Sequence, residues 1–290
     1  FSAENFLCPA PSRLPRLSKK YACNEFHYLM ITIKTPAEIK IIREGGRRLA
    51  TVLYKVRDMI APGVSTKELD TYAEKLIREM GDEPAFLGYR PEGARIPFPA
   101  TLCVSVNDEV VHGIPRKNRI LKEGDLVSID LGVKHKGLFT DMALTAPVGK
   151  VSAAEMKLLA ATEEALQEGI KAARVGNTVG DIGYAIESFV KAQQKEHGQK
   201  YGIVEVLAGH GVGHKIHEDP FIPNFGKRGK GAKLVPGMVL ALEPMLNLGT
   251  KEVTLDDDEY TFRTADRKKS AHFEHTILIT ESEPEILTQI

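Results

Sequence analysis

Along this chain the hydrophobic positions change twice from a helical to an alternating period. Thr35-Pro36-Ala37-Glu38 reads as a helix start, with a capping hydroxyl, proline at the first helical position and an acid at the third. Ile39, Ile41, Ile42 and Leu49 then recur at roughly helical spacing. A second helix follows Pro62-Gly63, opens at Ser65 or Thr66, and turns Leu69, Tyr72, Ala73, Leu76 and Ile77 inward. Beyond a loop-rich stretch at 81–101, short β-type runs appear at 102–106, 126–133 and 138–145.

The order then repeats. Helical patterns at 155–173 and 179–195 flank Val175-Gly176-Asn177-Thr178, the counterpart of Pro62-Gly63-Val64-Ser65. Gly124 to Asp130 likewise corresponds to Gly237 to Glu243. Gly63 and Gly176 stand 113 positions apart, as do Gly124 and Gly237. Two landmarks sharing one interval predict an internal duplication, with two α+β halves packed together and their acidic strand ends meeting at the joint. Chance similarity of glycine-containing turns is the competing reading.

The chemistry sits at those strand ends. Asp130 and Asp141 lie on two β runs joined by Lys134-His135-Lys136-Gly137. With His135 and Lys136 as the turn, the two acids face each other directly, and like charges that close need a cation between them. Leu126, Ile129, Leu131 and Val133 predict burial of the first run on both sides. Glu243 ends the apolar run 239–242, and Glu274 interrupts another at 272–279. An unpaired buried carboxylate costs several kcal/mol, so neither belongs in a plain core. Alternation puts His275 on the face opposite Glu274, in a structural role.

Gly209-His210-Gly211-Val212-Gly213-His214 is too rich in glycine for a helix. As a loop or strand it sets His210 and His214 on one face, with His217 further on. His112, in Val111-His112-Gly113, is a lone histidine whose surroundings assign it no chemistry. Four carboxylates and one imidazole favour a pair of hard divalent ions over a lone structural zinc.

Bulk composition excludes several alternatives. The 39 basic and 39 acidic residues cancel, which argues against a dedicated nucleic-acid or membrane-surface protein. No apolar run approaches the roughly 20 residues of a membrane span. Cys8, Cys23 and Cys103 are odd in number and widely spaced, so neither a disulfide framework nor a zinc finger is expected, and a cytoplasmic location fits. Residues 1–29 lack apolar periodicity and read as a disordered or non-native leader, with Met30 opening a single catalytic domain at 30–290.

Taken together, these segments resemble the type I methionine aminopeptidases over about residues 30–290. The resemblance is carried by the run from Cys103 through Asn107 to His112-Gly113-Ile114-Pro115, by Asp130 with Asp141, by Gly209-His210-Gly211-Val212-Gly213 with His217-Glu218-Asp219-Pro220, by Glu243-Pro244-Met245, and by Phe273-Glu274-His275-Thr276. It implies an α+β pita-bread fold: two pseudo-symmetric halves with an antiparallel sheet core and outer helices. It further implies two divalent ions (Fe, Mn, Co or Zn) on Asp130, Asp141, His210, Glu243 and Glu274, with Asp141 and Glu274 bridging. His112 and His217 would contact the substrate, and Glu243 would move a proton. Cys103, Phe86, Tyr89 and Tyr260 would line the methionine pocket, and Asn107 and Ser270 would neighbour a monovalent cation. The implied partner is a peptide or nascent chain, with transient ribosome contact, acted on by a monomer without nucleic-acid or membrane recognition. A prolidase or Xaa-Pro aminopeptidase of the same fold, and a non-catalytic binding protein on it, are the competing readings.

Overall fold

The computed structural model describes residues 31–91 and 94–290; the expected leader at 1–29 lies outside them. The first half runs α1 (Pro36–Arg57), α2 (Thr66–Glu79), β1 (Glu83–Pro84), β2 (Leu102–Val106), β3 (Glu109–Val111), β4 (Leu126–His135) and β5 (Leu138–Pro147). The second runs α3 (Ala153–Ala172), α4 (Val179–His197), β6 (Gly202–Ile203), β7 (Ala208–Gly211), β8 (Glu218–Pro223), β9 (Val239–Leu242) and β10 (Met245–Asn247). It closes with β11 (Val253–Leu255), β12 (Phe262–Thr264), β13 (Ser270–His272), β14 (Glu274–Leu278) and β15 (Glu285–Ile286).

The helices begin where their caps require. Thr35 accepts the Glu38 amide while the Glu38 carboxylate accepts the Thr35 amide, and Ser65 with Glu68 and Ser152 with Glu155 repeat the exchange. Each reciprocal pair satisfies two amides that the first turn leaves without partners. Tyr72 turns inward as expected and packs against the core half-buried, while the acid two residues earlier is sealed. Asp70 accepts the amides of Thr101 and Leu102 at 2.8 and 3.0 Å and so fixes the start of β2.

The central sheet has nine strands, every pair antiparallel, in the order β1-β4-β5-β14-β9-β7-β8, with β2 also beside β4 and β15 beside β14. Val127, Ile129, Leu131, Met142 and Leu144 meet α1 and α2 in one core; Leu240, Leu242 and Ile277 meet α3 and α4 in another. Both helix pairs therefore cover one face of the sheet, leaving alternate positions for the other. β4 is buried on both sides as expected, yet its large apolar residues share the helix face, and Ser128, Asp130 and Gly132 occupy the opposite one.

The repeat is exact in backbone terms at its landmarks. Gly63 and Gly176 have φ of 94° and 89°, Gly124 and Gly237 of 88° and 87°, a left-handed region that favours glycine. The Gly63 amide donates to Leu121 and the Gly176 amide to Leu234. The two halves join where β5 pairs with β14, with Ala143 opposite Glu274.

One sequence expectation is corrected here. The turn between β4 and β5 is Lys136-Gly137, with φ of 49° and 85°, not His135-Lys136. A two-residue hairpin turn of type I′ needs positive φ at both central positions, and glycine meets that need at the second. The one-residue slip moves the pairing by two: Asp130 faces Ala143, and Asp141 faces Gly132. The two acids are diagonal neighbours on one face. His135 ends β4, buried, with Nδ1 2.6 Å from Asp82 Oδ1.

Close backbone approach fixes how α1 seats on the sheet edge. A Cβ at Gly46 would lie 2.3 Å from the Leu287 carbonyl oxygen. Gly→Ala inside a helix ordinarily stabilises by about 1 kcal/mol. Gly46→Ala should instead lower unfolding stability by about 1–3 kcal/mol, the usual cost of overpacking. Chemical denaturation measures this, and a gain in stability would refute the contact.

Candidate metal centre

Two adjacent rows across the sheet assemble the cluster. In the first, Cys103 pairs with Asp130, Asp130 with Ala143 and Ala143 with Glu274. In the second, Gly132 pairs with Asp141, while Thr276 pairs with Ala241 and Ala241 with His210. The rows are two residues apart on every strand, so all these side chains leave the same face. Thr276 ties the two ends of the second row together, accepting the Asp141 amide at 2.9 Å and donating to the Asp141 carbonyl at 2.7 Å. Glu243 follows β9, and Asn224 donates to its carbonyl at 3.1 Å.

The five predicted donors converge. Ligand atoms of Asp130, Asp141 and Glu274 lie within 4.8 Å of one another, as do those of His210, Glu243 and Glu274. His210 Nε2 is 3.5 Å from Glu243 Oε1 and 3.9 Å from Asp141 Oδ2. A third group joins Asp141, His210 and His217, so His217, expected at the substrate, also stands within ligand reach.

The electrostatics are those of a cluster short of positive charge. Burial, with neighbouring carboxylates, pushes Asp141 and Glu274 well above the usual carboxylate range. Asp130 is pushed to about 7 by burial, and Glu243 to about 7 for the same reason. Asp130 Oδ1 and Glu274 Oε1 are buried without a hydrogen-bond partner. Carboxylate oxygens left unsatisfied in such a place fit hard divalent cations, as does the mixed oxygen and imidazole donor set.

The surrounding wall holds the remaining predicted residues. Phe86, Tyr89, Cys103, His112, His217 and Tyr260 line the same pocket as the five donors. Gly132 admits this wall, because a Cβ there would lie 2.8 Å from both Ala85 and Phe86. Burial depresses the His112 imidazole to about 4 and holds His217 well below 6.5. His112 has a left-handed backbone, φ 59°, and its buried Nδ1 has no partner. His217 Nδ1 lies 3.1 Å from the Tyr89 hydroxyl, and its ring meets that of His210 edge-on at 4.5 Å.

Other histidines separate. His214 does not share His210's face: β7 ends at Gly211, and His214 turns outward to Glu38 of α1 at 2.7 Å. His275 lies away from the cluster as expected, against Thr288 at 2.9 Å. Asn107 and Ser270 are neighbours, the Ser270 amide donating to the Asn107 carbonyl at 2.9 Å, but neither lines the pocket.

Two contributors escaped the sequence reading. His272 is buried with Nε2 3.4 Å from Glu243 Oε2, and its even spacing from Glu274 was the available signal. Phe98 lines the pocket, its ring 5.2 Å from that of Tyr260, and lies in a loop with no periodicity to read.

This arrangement has close parallels. The sequence model of metallopeptidase family M24 matches residues 40–281. The methionine aminopeptidase 1 of Bacillus subtilis is 46% identical over 261 residues, spanning 90% of this chain and all of that protein. The Mycobacterium tuberculosis methionine aminopeptidase 1 is 44% identical over 88% of this chain and 94% of its own length. The crystal structure of the Thermotoga maritima methionine aminopeptidase superposes with a TM-score of 0.84 at 40% identity, covering 90% of this chain and all of that one. Prolidase from Pyrococcus furiosus shares the fold more distantly, with a TM-score of 0.69 at 25% identity over 91% of this chain and 67% of its own. With its pita-bread fold and buried acid-rich cluster, the chain belongs to metallopeptidase family M24 and, within it, to the methionine aminopeptidases.

Proposed function

We propose that this chain removes the N-terminal methionine of polypeptides by hydrolysis assisted by two divalent ions, held by Asp130, Asp141, His210, Glu243 and Glu274. The observation that carries this reading is the overlap of three donor groups in one pocket, with an aromatic wall beside them. Asp141, His210 and Glu274 each belong to two of them, and of these three only the carboxylates have two oxygens to share between two ions, which supports bridging by Asp141 and Glu274. When bound, such ions polarise the scissile carbonyl and bring the pKa of a coordinated water from 15.7 toward about 7.

The protein's own groups then have definable tasks. Glu243, pushed to about 7, takes and returns a proton near neutral pH. With Tyr89 donating to His217 Nδ1, the His217 Nε2 keeps its proton and donates to the developing oxyanion. His112 contacts the scissile nitrogen. Phe86, Tyr89, Cys103 and Tyr260, with Phe98, form a wall suited to an unbranched, polarisable thioether side chain. A monovalent cation beside Asn107 and Ser270 belongs to the same reading, supported by their contact. So does action in the cytoplasm as a monomer, on nascent chains with transient ribosome contact. Among the described residues, no helix is long and apolar enough to cross a membrane.

After chelator treatment and readdition of Mn²⁺, Fe²⁺, Co²⁺ or Zn²⁺, Met-Ala-Ser should be hydrolysed and Ala-Pro-Ala left intact; the reverse preference would favour a prolidase. Glu274→Ala should lower turnover by more than about 100-fold, beyond the 10–100-fold range of supporting residues, and lower metal stoichiometry with it. His217→Ala should cut kcat by about 10²–10³-fold, the scale of one lost oxyanion donor, with KM and bound metal retained.

The pH dependence of the metal-free protein follows from the same cluster. Asp130 and Glu243 titrate near 7 when folded, against about 3.9 and 4.3 unfolded, so the folded chain binds more protons between those values. Their stabilising effect is complete below about pH 4 and is lost as pH rises through 7. Above about pH 7.5 the depressed His112, His217, His272 and His275 are largely neutral in both states, so the raised carboxylates, Asp141 and Glu274 among them, set the slope. Thermal unfolding midpoints without metal should therefore fall from about pH 7.5 to 8.5, and Mn²⁺ should remove that slope, with protons released on binding. A flat metal-free profile would contradict the cluster's charge balance.

A further inference from the structure

Glu218, the first residue of β8, lies beneath the loop 212–217 that delivers His217 to the pocket. Its Oε1 accepts the backbone amides of His214 at 2.5 Å and Lys215 at 2.8 Å. Its Oε2 accepts Lys34 Nζ at 2.6 Å and the Thr32 hydroxyl, and Lys34 also donates to Thr32. The ion-paired side chains are almost sealed, 1% and 5% exposed. Gly213 makes room for the lysine, since a Cβ there would lie 2.3 Å from Lys34 Cε. The Lys34 amide is itself tied to the Gly237 carbonyl at 2.9 Å, ahead of β9, and Glu38 holds the His214 ring at 2.7 Å. The arm and first turn at 32–38 thus grip the loop through its amides, its glycine and its outward histidine.

A buried ion pair is weak grounds for stability, because withdrawing both charges from water offsets their attraction. Here the carboxylate has a second task, ordering a backbone that ends one residue before it in His217. We infer that Lys34 and Glu218 are positioning residues for hydrolysis: the arm before α1, acting through Glu218, sets the His217 imidazole against the acid cluster. Neither residue touches that cluster or lines the pocket. The inference rests on His217 acting in the reaction, as read above. A displacement of about 1 Å at such a group is enough to cost about 10²-fold in rate.

The test is a double-mutant cycle on Met-Ala-Ser hydrolysis by the Mn²⁺-loaded protein, with bound metal measured alongside. Glu218→Ala should lower kcat by about 10²-fold with KM and metal stoichiometry retained, the pattern of an interaction made only in the transition state. In a His217→Ala background the same change should cost no more than about twofold, because the group it positions is gone. An equal fold-loss in both backgrounds, or loss of metal, would overturn the inference. If His217→Ala alone leaves kcat unchanged, the reading of His217 fails instead. Should Glu218→Ala not fold, Lys34→Met combined with Glu218→Gln leaves no unpaired charge and enters the same cycle. Its kcat should fall in the parent and not in the His217→Ala background, and equal losses would again overturn the inference.

Discussion

Four carboxylates held together in a largely buried site repel one another, and the fold must hold them there without a lysine or arginine among the described pocket residues. Protons or cations relieve that repulsion: burial raises all four carboxylates, and neighbouring acids add to the rise at Asp130, Asp141 and Glu274. A flexible framework would let the acids drift apart. A nine-stranded sheet resists because each donor's backbone is locked into a ladder or beside one. Where the ladder between β5 and β14 opens next to Asp141, the Thr276 hydroxyl bridges the gap in both directions.

Duplication explains how a sheet acquires such a site. Matching turns at Gly63 and Gly176, and at Gly124 and Gly237, bring equivalent strands to either side of the β5–β14 joint. Asp130 and Glu243 occupy corresponding places, so the two halves offer acids from opposite sides. Where the halves meet each contributes one acid, Glu274 of β14 opposite Ala143 and Asp141 of β5 tied to Thr276.

The sheet supplies charge, while the loops supply the histidines outside it. His112 stands in a left-handed turn, and His217 ends a loop braced from below by Glu218 and from the side by the arm before α1. Rigid donors with separately adjusted imidazoles allow the reacting groups to be aimed without disturbing the cluster, since loops carry function on a scaffold that carries stability.

Much of this was legible in the chain. The four helices, their caps and the main hairpin follow from period and capping chemistry, and the acids declare themselves because a charge inside an apolar run needs a partner. The Asp130–Asp141 register did not follow: the tetrapeptide between the strands admits two turns, and choosing between them required the positive φ at Lys136 and Gly137. The burial of Asp70 did not follow either, because it is β2 that needs its carboxylate, which helical periodicity cannot see.

By itself, then, the sequence determined which side chains must meet a cation, because the cost of burying charge is a local property of residue and surroundings. Tertiary structure alone decided how they are registered and which histidine turns inward. Alternation along the chain set His214 beside His210, but Glu38 takes His214 from 176 residues away and Lys34 seats Glu218 from 184. Contacts at that separation leave no period in the sequence, so the aim of the imidazole is written only in the fold.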